Sequence, residues 1–388
     1  MTIDLKERTL WIGIGIGVVI TTLIALALRG GGSEEPGAQK PAGVQITDSP
    51  APVGAPELDE PSPDPAVSDA PTAATSPSQI EAAPGGDVKC PDPTVTVSSA
   101  EELEEALGGV KPGDVISLED GTYEGEFIAR TPGTKEAPIF LCGGTGAVID
   151  GGGVKKGYAL HLDGASFWRV VGFTVQNSQK GVMGDGIQNS IIQGLSVHDI
   201  GDEAIHLRNY SSDNLVIGNT VSRTGQRREK FGEGIYIGNA ESNWKAEFSR
   251  TNGKPDNSDR NVIKNNVISE TTAESIDIKE GTTGGKIIGN RFDGSKLGGD
   301  KHNDSWLDIK GNKWIIEGNT GVNSFGDGFQ THQILDGWGT GNIFRNNTLD
   351  LKGGSGWGFH FAPINGNTVS CDNKVSGAAK GLTNSKCS

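Results

Sequence analysis

One short pattern constrains this chain more than any other. Apolar and polar residues alternate in Ala159-Leu160-His161-Leu162-Asp163, and the same alternation returns at Ala204–Arg208, Gly234–Gly238, Ser275–Lys279, Trp306–Lys310, Gly328–His332 and Gly358–Ala362. Period-two alternation is a strand with one buried face. Its return at intervals near two dozen residues is the mark of a solenoid, in which each coil buries what its neighbour leaves open. A second recurrence, Val216-Ile217-Gly218-Asn219, Val262-Ile263-Lys264-Asn265 and Ile287-Ile288-Gly289-Asn290, with Asn319, Asn346 and Asn367 in similar settings, predicts asparagines stacked from coil to coil. The 59 glycines agree with short strands and tight turns. The expected fold is all-β, a right-handed parallel β-helix over residues 89–388.

The flanking segments predict an anchor, a tether and a cap. Thr9 to Leu28 is uncharged and long enough as a helix to cross a bilayer, so residues 1–29 are expected to form a transmembrane signal anchor; cleavage as a signal peptide is the competing reading. Residues 30–88, rich in Pro, Ala, Gly and acidic side chains, lack apolar surface to bury and are expected to be a disordered linker. The folded part is then membrane-anchored and extracytoplasmic, at the cell surface or secreted if cleaved. Ser99 and Glu102 are placed to cap a short helix whose apolar stripe is Leu103, Ala106 and Leu107, covering the open end of the solenoid. The four cysteines suit an oxidising compartment; of three pairings, Cys90 with Cys142 and Cys371 with Cys387 would pin the two ends. A net charge of −15 argues against nucleic acid as a partner, so a site for a polyanion needs its own local positive charge.

Aligned, the strands present one polar stripe: His161, Asp163, His206, Arg208, Tyr236, Asp277, Lys279, Asp308, Lys310, Gln330, His332 and His360, with four of the six histidines. Strands about 4.8 Å apart make Lys279 a neighbour of Lys310 and Asp277 a neighbour of Asp308. An exposed Asp/Lys ladder would contribute little to stability. Two like charges at that spacing instead favour losing one proton, and a neutral lysine can act as a base. The paired aspartates also admit glycosidase chemistry. The stripe could equally bind envelope polysaccharide without cutting it. The insertion from Gln226 to Arg260 breaks the period and is expected to loop beside the stripe. Trp244, Trp306 and Trp338 are candidates for stacking on sugar rings or for packing.

The stretches Gly234–Gly238, Glu274-Ser275-Ile276-Asp277-Ile278-Lys279 and Leu307–Asn312, with the opening Gly113–Gly125 and Pro132–Gly143, resemble the polysaccharide lyases of the alginate lyase and chondroitinase B type. These are pectate-lyase-like β-helices. The resemblance implies β-elimination in a uronate-containing polysaccharide, with Lys279 as the base and Lys310 at the position of a catalytic arginine. It implies a Ca2+ ligand at Glu274, with Thr272 where a second acid belongs, a role for His206, Arg208, Tyr236 and His332 in binding sugar or assisting the leaving oxygen, and substrate binding at Asp277 and Asp308. The implied partner is an acidic polysaccharide, taken by a monomer.

Overall fold

In a computed structural model, the structure describes residues 87–298 and 303–388. The anchor expected over residues 1–29 and all but the last two residues of the linker expected over 30–88 lie outside them. Among the described residues no helix is long and apolar enough to cross a membrane.

Among the described residues the strands form three parallel sheets of eleven, ten and ten strands, stacked as a right-handed solenoid. A coil visits each sheet in turn: Ile191–Gln193, Ser196–His198 and Ile205–Arg208 are followed by Leu215–Ile217 back on the first sheet, above Ile191. Parallel stacking places like residues over one another. Ile205, Ile235, Ile276 and Leu307 make one inward column, and Leu207, Ile237, Ile278 and Ile309 the next, every one fully buried. Apolar side chains with nowhere else to go from water thus fix the register, since a one-residue slip would turn each column outward.

The asparagine ladder is present, one residue from where two of its members were expected. Each turn uses two positions. The first needs left-handed backbone and is filled by Gly218, Asn265, Gly289, Gly318 or Asn346, at φ of 64, 55, 65, 66 and 54°. The second points inward and carries Asn219, Asn266, Asn290, Asn319 and Asn347, all fully buried and joined side chain to side chain at 2.9–3.0 Å. Asn265 and Asn346 are therefore exposed turn residues. Asn367 belongs to a second buried row, where its Oδ1 accepts from the Asn342 backbone N–H at 2.9 Å.

The N-terminal helix spans Ala100–Gly109, buries Leu103 and Leu107, and has Ser99 accepting from the Glu102 N–H at 3.2 Å. Glu102 reaches back one residue further than a capping box requires, to the Ser98 N–H at 2.7 Å. Disulfides join Cys90 to Cys142 and Cys371 to Cys387, as expected, near the two ends of the solenoid.

Candidate active site

The ten-stranded sheet from Phe127–Ala129 to Gly381–Thr383 carries the polar stripe. Its central row runs His161, Met183, His206, Tyr236, Asp277, Asp308, Gln330, His360 in direct register. One coil in that row was not foreseen. Lys180–Asp185 separates the strands of His161 and His206, and brings in Met183 and Asp185. Its alternation is masked because Gly184 takes an inward place; a Cβ there would meet Ile187 and Leu207 at 2.7 Å, so Ile187 fills the core instead. The spacing held the signal, since the gap between its neighbours is roughly twice the repeat.

The stripe was expected to face open water. It is instead the floor of a cleft of about 810 Å³, walled on one edge by Lys230 and Phe231 and on the other by Ala240, Ser242, Asn243 and Phe248, all from the Gln226–Arg260 insertion. His206, Arg208, Tyr236, Asp277, Asp308 and Lys310 are each under 9% exposed. An exposed, weakly coupled Asp/Lys ladder is thereby excluded, because these charges are largely dehydrated and must satisfy one another.

They do so in a continuous chain. His332 Nδ1 lies 2.8 Å from Asp308, whose other oxygen is 2.6 Å from Lys310 Nζ; Lys310 also meets Asp277 at 2.8 Å, and Asp277 meets Lys279 at 2.5 Å. Lys279 Nζ stands 4.8 Å over the Tyr236 ring, and Tyr236 lies 4.4 Å from the His206 ring. The two lysines are neighbours on one face, but the aspartates interleave with them. The expectation that like charge leaves one lysine neutral is corrected here. Burial pulls the Lys279 ammonium down, yet Asp277 and Glu233 outweigh it and hold the group well above the usual lysine range. Lys310 behaves likewise between Asp277 and Asp308.

The other groups follow the same balance. Burial would raise Asp308, but Lys310 and His332 hold it well below the ordinary carboxylate range. That is the opposite of the raised carboxyl that the proton-donating acid of a glycosidase pair needs. Burial, with Lys180 and Arg208, keeps His206 neutral; Nε2 donates to the Gly238 carbonyl at 3.0 Å and Nδ1 is buried without a hydrogen bond. Tyr236 is pushed up by burial and then by Asp277, so it keeps its proton. Arg208 is occupied by Asp185, at 2.7 and 3.2 Å. Gln330 donates to Asp304 and Asp327.

His332 is raised by Asp308 above the ordinary 6.5. A group whose folded pKa is raised stabilises the fold fully below its ordinary value and stops doing so as pH climbs through the raised one. The melting-temperature advantage of the native chain over His332→Gln is therefore expected to shrink from mildly acidic to alkaline pH. A difference that stays constant across that range would refute the pairing.

The fold recurs in known proteins. The crystal structure of an alginate lyase from Paenibacillus sp. str. FPU-7 matches with a TM-score of 0.69 and 33% sequence identity, over 74% of this chain and 96% of that one. This chain belongs to that family of β-helical polysaccharide lyases. Pectate lyase Pel9A shares the fold, with a TM-score of 0.50 and 17% identity over 71% of this chain and 72% of its own. No family model matches the sequence, and no curated protein does.

In this lyase-family chain the acid sought near Glu274 comes from elsewhere than expected. Thr272 turns away and donates to the Glu229 carbonyl at 2.7 Å. Glu233, from the preceding coil, takes the place beside Glu274 and Asp277, with oxygens of all three within 4.8 Å of one another. The strand alignment began one residue later, at Gly234, and so missed it. Burial and Glu203 push Glu233 up to about 8, and burial and Asp277 raise Glu274 well above its ordinary value. Both oxygens of Asp277 already hold ammonium groups. Glu233 and Glu274 would hold a cation there, and calcium, which takes six to eight oxygens, would need the rest from water or substrate. Of the tryptophans, Trp306 is wholly buried in the core, and Trp244 is buried in the insertion with its ring N–H on the Asn239 carbonyl at 2.9 Å.

Proposed function

We propose that this protein is a lyase that cleaves a uronate-containing polysaccharide by β-elimination. The observation carrying that reading is the Lys279–Asp277–Lys310–Asp308 chain along the floor of a cleft, in a chain belonging to a lyase family. The ammonium of Lys310 pairs with the uronate carboxylate, spreading its charge and acidifying the adjacent C–H. That carboxylate adds negative charge beside Asp277. In so dry a place the added charge favours transfer of a proton from Lys279 to Asp277 along their 2.5 Å contact, which leaves a neutral amine. The amine takes the C–H proton, the electron pair forms the carbon–carbon double bond, and the glycosidic C–O bond breaks. Tyr236, which keeps its proton, and the His332 imidazolium are the donors at hand for the departing oxygen. Asp308 holds Lys310 and His332 in place, and His206 packs against Tyr236 beneath the sugar. Anchored through residues 1–29, such an enzyme would act as a monomer on polymer outside the cytoplasm.

The test is a panel of alginate, pectate and glycosaminoglycans with the purified chain. An ultraviolet-absorbing unsaturated uronate is expected from at least one polymer, alginate being the first to try given the Paenibacillus relative. New reducing ends without unsaturation would replace the reading by hydrolysis. Retention on immobilised polymer with neither product would replace it by binding alone.

A further inference from the structure

Three side chains cross the stripe at one end of the cleft. Tyr158 comes from the N-terminal edge of its strand, Phe248 from the insertion that follows Ile235–Ile237, and Arg208 from the floor between them. The Arg208 guanidinium carbon lies 4.6 Å from the centre of the Phe248 ring and 5.9 Å from that of Tyr158, and Nη2 donates to the Tyr158 hydroxyl at 3.3 Å. The guanidinium thus joins both banks, lying over the Phe248 ring on one side and donating to the Tyr158 hydroxyl on the other.

The crossing is tied down from behind. Asp185 grips Arg208 with both oxygens, Asn209 donates to the Phe248 carbonyl at 3.2 Å and accepts from the Arg250 N–H at 3.1 Å, and the Arg250 guanidinium bonds Asp163. Past it the stripe continues as His161, Asp163 and Asp185, none of which lines the cleft; beyond Arg208 the cleft reaches only Gln179 and Lys180, at the N-terminal end of the Asp185 strand, and Tyr158 itself. Side-chain exposure rises further at the opposite end, from 3% at Asp277 and 8% at Asp308 to 35% at His332 and 32% at His360, against 5% at Asp185, 15% at His161 and 21% at Asp163 past the crossing.

We infer that the cleft is blind at the Tyr158–Arg208–Phe248 crossing, so that it accepts a polysaccharide terminus and releases short products from the chain end. The inference rests on the polyuronate lyase reading and goes beyond it to the mode of cleavage. The strand of Lys279 stands two places along the sheet from that of Arg208, roughly 10 Å at the usual strand spacing, which leaves room for roughly one or two sugar units before the crossing. Products are mono- and disaccharides.

The purified full-length chain is tested on the polymer it cuts. Unsaturated mono- and disaccharide should appear from the earliest times while viscosity falls slowly for each bond broken. An early collapse of viscosity with mixed longer oligomers would overturn the inference and leave the lyase reading standing. Phe248→Gly removes one member of the crossing and is expected to raise viscosity loss per bond several-fold and to lengthen the products; an unchanged product profile counts against the wall. Binding gives an arm independent of turnover. With Lys279→Ala, calorimetric titration of alginate or pectate fractions of two lengths should give one protein per chain at both lengths, whereas occupancy that grows with length overturns the inference. Neither cleavage nor binding across the panel would remove the polyuronate reading and this inference together.

Discussion

Lys279→Arg is expected to lower kcat by about 10²- to 10⁴-fold, the usual contribution of a positioned general base. The substitution keeps a positive charge over Tyr236 and beside Asp277, but a guanidinium does not give up its proton in a protein. If Lys279 served only by its charge, Arg would be a tolerable replacement, and a variant retaining most of its activity would remove Lys279 from the base role. Lys310→Arg makes the complementary case. Lys310 is assigned a charge that stays on throughout, so a guanidinium able to reach Asp277, Asp308 and the substrate carboxylate should cost far less than the change at Lys279. Lys310→Met is a different matter, because it strips the shared cation from two dehydrated carboxylates. Loss of one partner in such a buried group typically costs about 3–5 kcal/mol. Circular dichroism and melting curves on each variant separate lost chemistry from lost fold.

Asn290→Ala should be among the most damaging changes outside the cleft. The Asn290 amide donates to the Ile263 carbonyl and to Asn319, and its oxygen accepts both the backbone and side-chain N–H of Asn266, all at 2.9–3.0 Å and all buried. Truncation leaves the Asn266 backbone N–H dehydrated and unpaired, at about 1–3 kcal/mol, and takes a side-chain donor from the Ile263 carbonyl and from the Asn319 oxygen. Asn265→Ala makes the informative partner. That residue is exposed at φ 55°, and its replacement carries only the left-handed backbone penalty, about 1–2 kcal/mol. Chemical denaturation midpoints are expected to fall much further for Asn290→Ala than for Asn265→Ala. The reverse order would mean that the turn, and not the buried ladder, holds the coils together.

Those two asparagines also show how much could be read in advance and where reading stopped. A Gly-Asn or Asn-Asn pair after two apolar residues marks a turn, but both residues suit left-handed backbone, so spacing alone did not say which one points inward. In Lys264-Asn265-Asn266 the ladder member is the second asparagine, because the first occupies the position that glycine holds in other coils. Glu233 was passed over for a related reason. It lies one residue before the recognisable alternation, and its place beside Glu274 follows from the backbone bond of Gly234 to the Glu274 carbonyl, made between coils about forty residues apart along the chain. The strand Lys180–Asp185 escaped because a glycine stood where an apolar side chain was sought.

Alternation and its period were enough, with no coordinates, to determine a stacked parallel solenoid, the face that carries Lys279, Lys310, Asp277 and Asp308, and the insertion beside that face. They suffice because the inward columns must exclude water in every coil, which writes the same local rule into the chain again and again. Tertiary structure decided what that face experiences. Whether an outward residue meets water or a dry cleft depends on where Gln226–Arg260 comes to rest, and contacts such as Arg250 with Asp163 and Phe248 with Arg208 join residues far apart in the chain without any repeat to announce them. Burial then raised the strength of every charge interaction on the floor. A ladder that would be weak in water became a proton-holding network, and both lysines took their protonation state from the aspartates between them.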